Sequence, residues 1–368
     1  MKIGILSMQR ICNYGSFLQA WALQHLLQEM GHEVCFVDYT PGPVLCPEDR
    51  PPLSRRLRGK CRSLWQMRSR RSRMLRKQER NETFQQTFQR EYLPLLGLSK
   101  ERRCRIPVDL LIIGSDEVFH CMQSNPQVGY AKELFGEGNR ANRVVSFAAS
   151  FGCTTLSMLR EKGIDGEIGR MLSRFSALSV RDCHSWEMVR ALTGQEAYLH
   201  IDPVLLYDFS RKTPERTVCR DTILVYAYAG RMQEPEIAAI QRFARRQGKT
   251  LLSVGTYQPF CQVNIPKATP FELLAYVRDA DYVITDTFHG CVYSLKYHKP
   301  FCVFLRPTNQ EKIQGLLDAF CEKSRSVEKS QNLEEILKQP VKKEKNDSLI
   351  NRKKWEAIQY LEKQTLDL

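Results

Sequence analysis

"NYGSFLQAWALQHLLQ", residues 13–28, follows the apolar run "KIGIL" after a short polar loop. Strand, polar turn and helix in that order open a Rossmann-type α/β domain. The turn holds one glycine, Gly15, where a dinucleotide fingerprint supplies three. Little bare backbone is left for a pyrophosphate. Asn13, Tyr14 and Ser16 instead bring polar groups to the start of the helix. The turn is therefore expected to hold sugar hydroxyls, or one anionic group, through side chains and the helix N-terminus. The competing reading is that Asn13 or Ser16 caps the helix while Tyr14 packs.

Working outward, a helix is expected over 17–30, stopped by Gly31, with "HEVCFVDY" as the next strand. Strands are expected again at "VDLLIIGSD", "RVVSFAASFG" and "FSALSVRD", then a helix at "HSWEMVRAL" and the stretch "YLHIDPVLL". The apolar pattern lapses over 208–221 and restarts with "TILVYAYAG", "TLLSVG", "DYVITD" and "PFCVFL", with helices expected between and after them at 235–247, 270–280, from 288, and at 310–321. Near-continuous apolar strands alternating with helices imply mainly parallel sheets covered on both faces. The expected fold is α/β, with two Rossmann-like domains facing a cleft and a C-terminal tail helix around 355–361. The expected bounds are 1–207, with a basic helical insert at 53–92, then 208–330, then tail helices over 331–368.

At 368 residues the chain exceeds what one core usually holds, in agreement with two domains. Thirteen cysteines are scattered singly, with no CxxC pair and no histidine cluster at ligand spacing. That set suits a reducing cytoplasm and argues against a disulfide framework or a zinc site. "MKIGILSMQR" does not read as a signal peptide, and no apolar run reaches membrane-spanning length. The net charge of +14 is uneven. Between Arg55 and Arg80, ten arginines and two lysines face a single glutamate, a local balance of +11. The nearly neutral remainder argues against nucleic-acid binding. With Leu57, Leu64 and Trp65 on one face, the basic segment suits adsorption to an anionic membrane surface, the alternative being a solvated charged helix.

In parallel sheets, ligands sit beyond the carboxyl ends of the strands. Those ends read "NYGS", "GSDEVFH", "SFG", "SVRD", "HIDP", "YAG" and "TDTFHG". Turn and capping chemistry accounts for any one of them, and for Asp202 before Pro203 it is favoured. As a set they place polar side chains where the cleft opens. Asp286 ends a strand, and His289 begins the next helix three residues later. An imidazole there suits general acid or base work, with Asp286 orienting the ring or capping the helix. The alternative is a histidine bonded to loop backbone. Arg181 ends a buried strand and suits a bidentate grip on a carboxylate or phosphate, or else a salt bridge with Asp182 or another acid. Arg306 stands similarly. Gly114, Ser115 and Asp116 offer backbone N–H groups and a carboxylate. These residues imply an enzyme with an anionic small substrate, without naming the reaction.

In order along residues 1 to about 320, the stretches "NYGSFLQAWALQHLLQEMGHEVCFVDY", "GSDEVFH", "FAASFG", "SVRD", "HIDPVLL" and "TDTFHGCVYSLKYHKPFCVF" resemble the polysaccharide pyruvyl transferase family. The resemblance implies a GT-B-like fold and transfer of the enolpyruvyl unit of phosphoenolpyruvate to a sugar, giving a pyruvate ketal. It implies Arg181 as the anion clamp, His289 as acid or base, phosphoenolpyruvate and a glycan acceptor as partners, and no metal or organic cofactor. Bacterial sugar assembly on lipid-linked intermediates would suit a cytoplasmic protein peripheral to the inner face of the membrane. The chain departs from the family at two places. Thr287-Phe288-His289-Gly290 stands where better-characterised branches carry an Arg-Leu-His-Ala type sequence, so Arg306 or Lys312 is the candidate replacement for a missing arginine. Glu117-Val118-Phe119-His120 stands where many relatives read Gln-Val-Trp-Asn, placing His120 at the cleft edge. The rival functions are a GT-B glycosyltransferase using a nucleotide sugar and a non-catalytic glycan-binding relative.

Overall fold

The computed structural model describes residues 1–46, 84–215, 217, 220–328 and 332–366. The basic segment 55–80, and with it the expected helix and membrane-facing surface, lies outside the described residues. Among the described residues no helix is long and apolar enough to cross a membrane.

The chain opens with β1 (Lys2–Leu6), α1 (Tyr14–Glu29) and β2 (Glu33–Phe36). Helix α1 starts three residues earlier than its apolar pattern suggests, because Asn13 caps it: Asn13 Oδ1 accepts from the Gly15 amide at 2.7 Å. After the undescribed stretch come β3 (Val108–Asp116), β4 (Ala141–Ala149), α2 (Leu156–Glu161), α3 (Asp165–Leu172), β5 (Ser179–Val180), α4 (Cys183–Thr193), β6 (Tyr198–Leu199) and α5 (Pro203–Leu206). All six strands run parallel in the order β2-β1-β3-β4-β5-β6. Strand β5 is only two residues long, far less than "FSALSVRD" suggests, because serine side chains take over the ladder. Ser146 Oγ donates to Ser179 O at 2.9 Å and accepts from Ser179 N at 2.7 Å, and Ala148 N donates to Ser179 Oγ at 3.0 Å.

The second sheet is built from β7 (Thr222–Tyr226), β8 (Thr250–Val254), β9 (Val263–Ile265), β10 (Tyr282–Thr285) and β11 (Phe301–Val303), in the order β11-β10-β7-β8-β9. Strand β9, half-buried at the edge, has no counterpart in the sequence expectation; three residues are too few to show a period. Its helices are α6 (Glu234–Gln247), α7 (Pro270–Asp279), α8 (Phe288–Lys296) and α9 (Gln310–Ala319). Proline and a capping box open both α6 and α7, which fixes where each begins. Two Rossmann-like sheets, each covered by helices, thus make a GT-B-like α/β architecture.

The tail forms α10 (Leu333–Leu337) and α11 (Lys343–Leu366), and α11 returns to the first sheet. Ala357, Tyr360 and Leu361 are buried there while Trp355 stands 65 % exposed, so the helix is held by one face only. Tyr360 donates to Ser146 O at 2.8 Å, and Arg143 to Gln364 Oε1 at 2.8 Å. On the side of α1, the two domains share one apolar cluster, in which Phe17 and Trp21 meet Phe271 of α7 at 5.9 and 5.1 Å between ring centroids.

His200 fastens the tail. It is 3 % exposed, stacks on Phe147 at 5.4 Å, lies 4.8 Å from the Tyr360 ring and meets Ser179 Oγ through Nδ1 at 2.7 Å. Burial, with the charge of Lys353, pushes its imidazole down from 6.5 to about 4. The stability His200 contributes is therefore complete above pH 6.5 and is lost as the pH falls toward 4, at about 1.4 kcal/mol per pH unit. Urea unfolding at pH 6.5 and pH 5 should show wild type losing about 2 kcal/mol more than His200→Phe; equal losses would contradict this assignment.

Candidate active site

In each sheet the strand order reverses at one point, and crossovers leave in opposite directions there, opening a crevice at the carboxyl ends. In the first sheet this lies between β1 and β3, in the second between β7 and β10. The two crevices face each other. Asn13, after β1, donates through Nδ2 to Tyr228 Oη, after β7, at 2.8 Å. Tyr14 reaches across and donates to Ala268 O, its ring lying where a Cβ on Gly255 would sit 2.5 Å away. Conversely, a Cβ on Gly15 would lie 2.1 Å from His289 Nδ1. Each domain thus carries a glycine that admits a ring from the other. Tyr14 is packed, and Asn13 both caps and crosses.

At the centre is a buried ionic cluster. Arg181, with a side chain 1 % exposed, donates Nη1 to Asp202 Oδ2 at 3.2 Å and Nη2 to Asp116 Oδ1 at 3.3 Å. Its guanidinium carbon stands 4.3 Å from the centroid of the Phe288 ring, a cation–π contact from the other domain. Asp202 Oδ2 also lies 3.6 Å from His289 Nε2. One carboxylate oxygen therefore hydrogen-bonds the arginine of the first domain and stands near the imidazole of the second, whose Nε2 has no hydrogen-bond partner among the described residues. Ser16 Oγ donates to Asp116 Oδ2 at 2.8 Å, and Asp116 is held at φ +79°, a left-handed backbone that non-glycine residues seldom adopt. Burial alone would push the Asp116 carboxyl up, but Arg181, His289, the Ser16 hydroxyl and Lys312 together bring it below its ordinary value. Burial likewise opposes charge on Arg181, and Asp116 and Asp202 outweigh it, raising the guanidinium.

A second ion pair closes the rim, where Lys312 of α9 bonds the Glu117 carboxylate. Burial raises Glu117 and Lys312 more than offsets it, so its carboxyl lies below the ordinary value. His120 sits beside them, with Nδ1 2.7 Å from Thr154 Oγ1 and Nε2 3.7 Å from Cys153 Sγ; burial lowers its imidazole.

Several expected site residues stand elsewhere. Asp286 neither orients His289 nor caps α8. Its Oδ1 accepts from Tyr228 N at 3.2 Å, while Oδ2 lies 3.3 Å from Arg231 Nε and 3.7 Å from Arg306 Nε. Thr287 is the cap, accepting from Gly290 N at 3.0 Å, which accounts for both residues. Arg306 is held bidentately by Glu236 at 2.7 Å on both oxygens, so it is not free to grip a ligand. Gly114 and Ser115 are buried beneath the site, with Ser115 bonded to Gln19 and Ser7. Arg181 pairs with Asp116 and Asp202, not Asp182, which caps α4 by accepting from Ser185 N. Asp202 is the residue that sequence reasoning passes over. Its Oδ1 does cap α5, accepting from Val204 N at 3.0 Å, and the same carboxylate turns its second oxygen into the cleft.

The sequence pattern described as "Polysaccharide pyruvyl transferase" matches residues 13–306. The chain belongs to that family. The matched region includes every cleft residue described above except Lys312. No curated protein shows significant similarity. Among solved structures, the chain is similar to UDP-GlcNAc 2-epimerase from Neisseria meningitidis bound to UDP-GlcNAc (10 % identity, 99 % of this chain and 100 % of that one, TM-score 0.48). It is also similar to the glycotransferase of kitacinnamycin (11 %, 99 % and 98 %, 0.49) and to the spinosyn rhamnosyltransferase SpnG (13 %, 98 % and 100 %, 0.47). At these identities and scores nothing of their chemistry carries over to this chain.

Asp202→Asn keeps the cap but withdraws the charge shared by Arg181 and His289. Breaking a buried pair from one side should cost about 3 kcal/mol. A denaturant midpoint equal to wild type would contradict the shared-carboxylate arrangement.

Proposed function

We propose that this cleft binds phosphoenolpyruvate and transfers its enolpyruvyl unit to two hydroxyls of one sugar. The reading is carried by Asp202 Oδ2, which lies within reach of both Arg181 and His289. The reaction needs cations for the donor's carboxylate and phosphate, an acid for its methylene carbon, and an acceptor for the hydroxyl protons. His289 supplies the acid, delivering a proton to the methylene carbon so that C2 becomes electrophilic. The first sugar oxygen bonds to C2 and its proton returns to the imidazole. Phosphate leaves with the donor's C–O bond pair, and the second hydroxyl closes the ketal, its proton going to phosphate. Asp202 Oδ2, 3.6 Å from Nε2, keeps a negative charge beside the imidazole.

Arg181 has two of its nitrogens committed to carboxylates, and its Nε is buried without a hydrogen-bond partner. Of the five guanidinium N–H groups two are used on these carboxylates, and the unpartnered Nε–H is the one assigned here to the anion. Lys312 is the second cation. It takes the role for which position 287 lacks an arginine, since its partner Glu117 is a single carboxylate at the rim that the donor's phosphate can displace. Asp116, Glu117 and Asp202 outnumber Arg181 and Lys312, and a buried cluster with surplus carboxylate contributes little to stability. Chemistry accounts for it better.

Incubation with phosphoenolpyruvate and candidate glycans should release phosphate and leave a pyruvate ketal on the sugar. His289→Ala should lower the rate by about 10²–10⁴-fold, and Lys312→Met should raise KM for phosphoenolpyruvate. A nucleotide diphosphate that raises the Tm, where phosphoenolpyruvate does not, would favour nucleotide-sugar transfer instead. Full activity in folded His289→Ala would refute the mechanism.

A further inference from the structure

Two tyrosines of the second domain stand half in solvent, Tyr228 and Tyr257, each 44 % exposed. They follow β7 and β8, which are neighbours in the sheet, and so lie at its carboxyl edge on adjoining loops. A lone exposed tyrosine calls for no explanation, but these loops are clamped together. Gln258, 1 % exposed, donates Nε2 to Ala227 O at 3.0 Å and to Tyr228 O at 3.4 Å. Thr256 Oγ1 donates to the same Ala227 carbonyl at 2.9 Å, and Gln258 N donates to Asn264 Oδ1 at 2.8 Å. A buried amide thus fixes two loops whose exposed residues are aromatic. The platform adjoins the cleft, since Tyr228 Oη accepts from Asn13.

A cation stands beside it. The Arg231 guanidinium lies 5.0 Å from the Tyr228 ring centroid, anchored through Nε on buried Asp286 at 3.3 Å, with its side chain 30 % exposed. Arg306, by contrast, is consumed by Glu236. Rigid tyrosines give an apolar face and a hydroxyl at small entropic cost, which matches the C–H face and hydroxyls of a pyranose. A partly exposed guanidinium matches an oxyanion.

We propose that Tyr228, Tyr257 and Arg231 form the acceptor subsite of the cleft, and that the acceptor sugar carries an anionic group, a phosphate or a carboxylate. The proposal rests on the pyruvyl-transfer reading for the word acceptor, while the sugar site itself stands on its own geometry.

The test is calorimetric titration of the full chain with glucose 1-phosphate, glucuronate and methyl glucoside. At least one anionic sugar should bind about tenfold more tightly than the neutral glycoside, and which one does identifies phosphate or carboxylate as the anion. Tyr257→Ala should weaken that binding about tenfold, the scale of one lost stacking contact, while Tyr257→Trp restores it. Arg231→Gln should bring the anionic sugar down to the neutral one; if that variant does not fold, the Tyr257 pair and the anionic preference still decide. Equal binding of neutral and anionic sugars, no sugar binding, or an unaffected Tyr257→Ala would overturn the proposal. The thermal shift with phosphoenolpyruvate on the same samples reports separately on the donor: a shift without sugar binding removes the acceptor subsite alone, and sugar binding without a shift removes the donor reading alone.

Discussion

The site depends on one carboxylate oxygen. Asp202 Oδ2 meets Arg181 from the end of β5 and His289 from the start of α8. Without it, a guanidinium with its side chain 1 % exposed would keep only the Asp116 carboxylate, and the imidazole would lose the carboxylate 3.6 Å from its Nε2. The position follows from the turn after β6. Asp202 precedes Pro203, its Oδ1 holds the first turn of α5, and that fixed rotamer aims Oδ2 across the cleft. A structural cap and a site residue are the same side chain, so the precision of the site is inherited from the stability of a turn.

Apolar and charged contacts both join the domains, and they differ in what a ligand can do to them. Near α1 the join is apolar, with Phe17 and Trp21 against Phe271, and Tyr14 tucked over Gly255. An anionic substrate has nothing to offer such a surface. At the far side the join is polar, through the Glu117–Lys312 ion pair and the approach of Asp202 to His289. Ionic partners can be exchanged for the charges of a substrate at small net cost, because both states satisfy the same cation. Admission of an anion therefore belongs to the ionic rim, with the aromatic side acting as the fixed edge.

Much of the fold is legible in the sequence because its strands are continuous apolar runs punctuated by helices with proline or polar caps. "VDLLIIGSD" is β3 to the residue. Legibility fails where side chains replace backbone, as at Ser146 and Ser179, and where an element is too short for a period, as at β9. In the site, Arg181 and His289 are visible because strand ends and helix starts are where parallel sheets expose side chains. Asp286 misleads because nearness in sequence is not nearness of side chains. It precedes the capping Thr287 and turns toward the loop after β7, whereas His289 faces the other domain. Arg306 misleads because its partner, Glu236, comes from α6, far away in sequence, and a sequence does not show which cations are already neutralised. Asp202 is hidden by a second valid role.

Electron density for phosphoenolpyruvate bound to crystals of the protein is the most direct measurement of the central claim, that both domains act on one small anion. The account predicts the donor between Arg181 Nε and the Lys312 ammonium, its methylene carbon toward His289, and Glu117 displaced from Lys312. A donor seated away from both Arg181 and His289, or bound wholly within one domain, would contradict it.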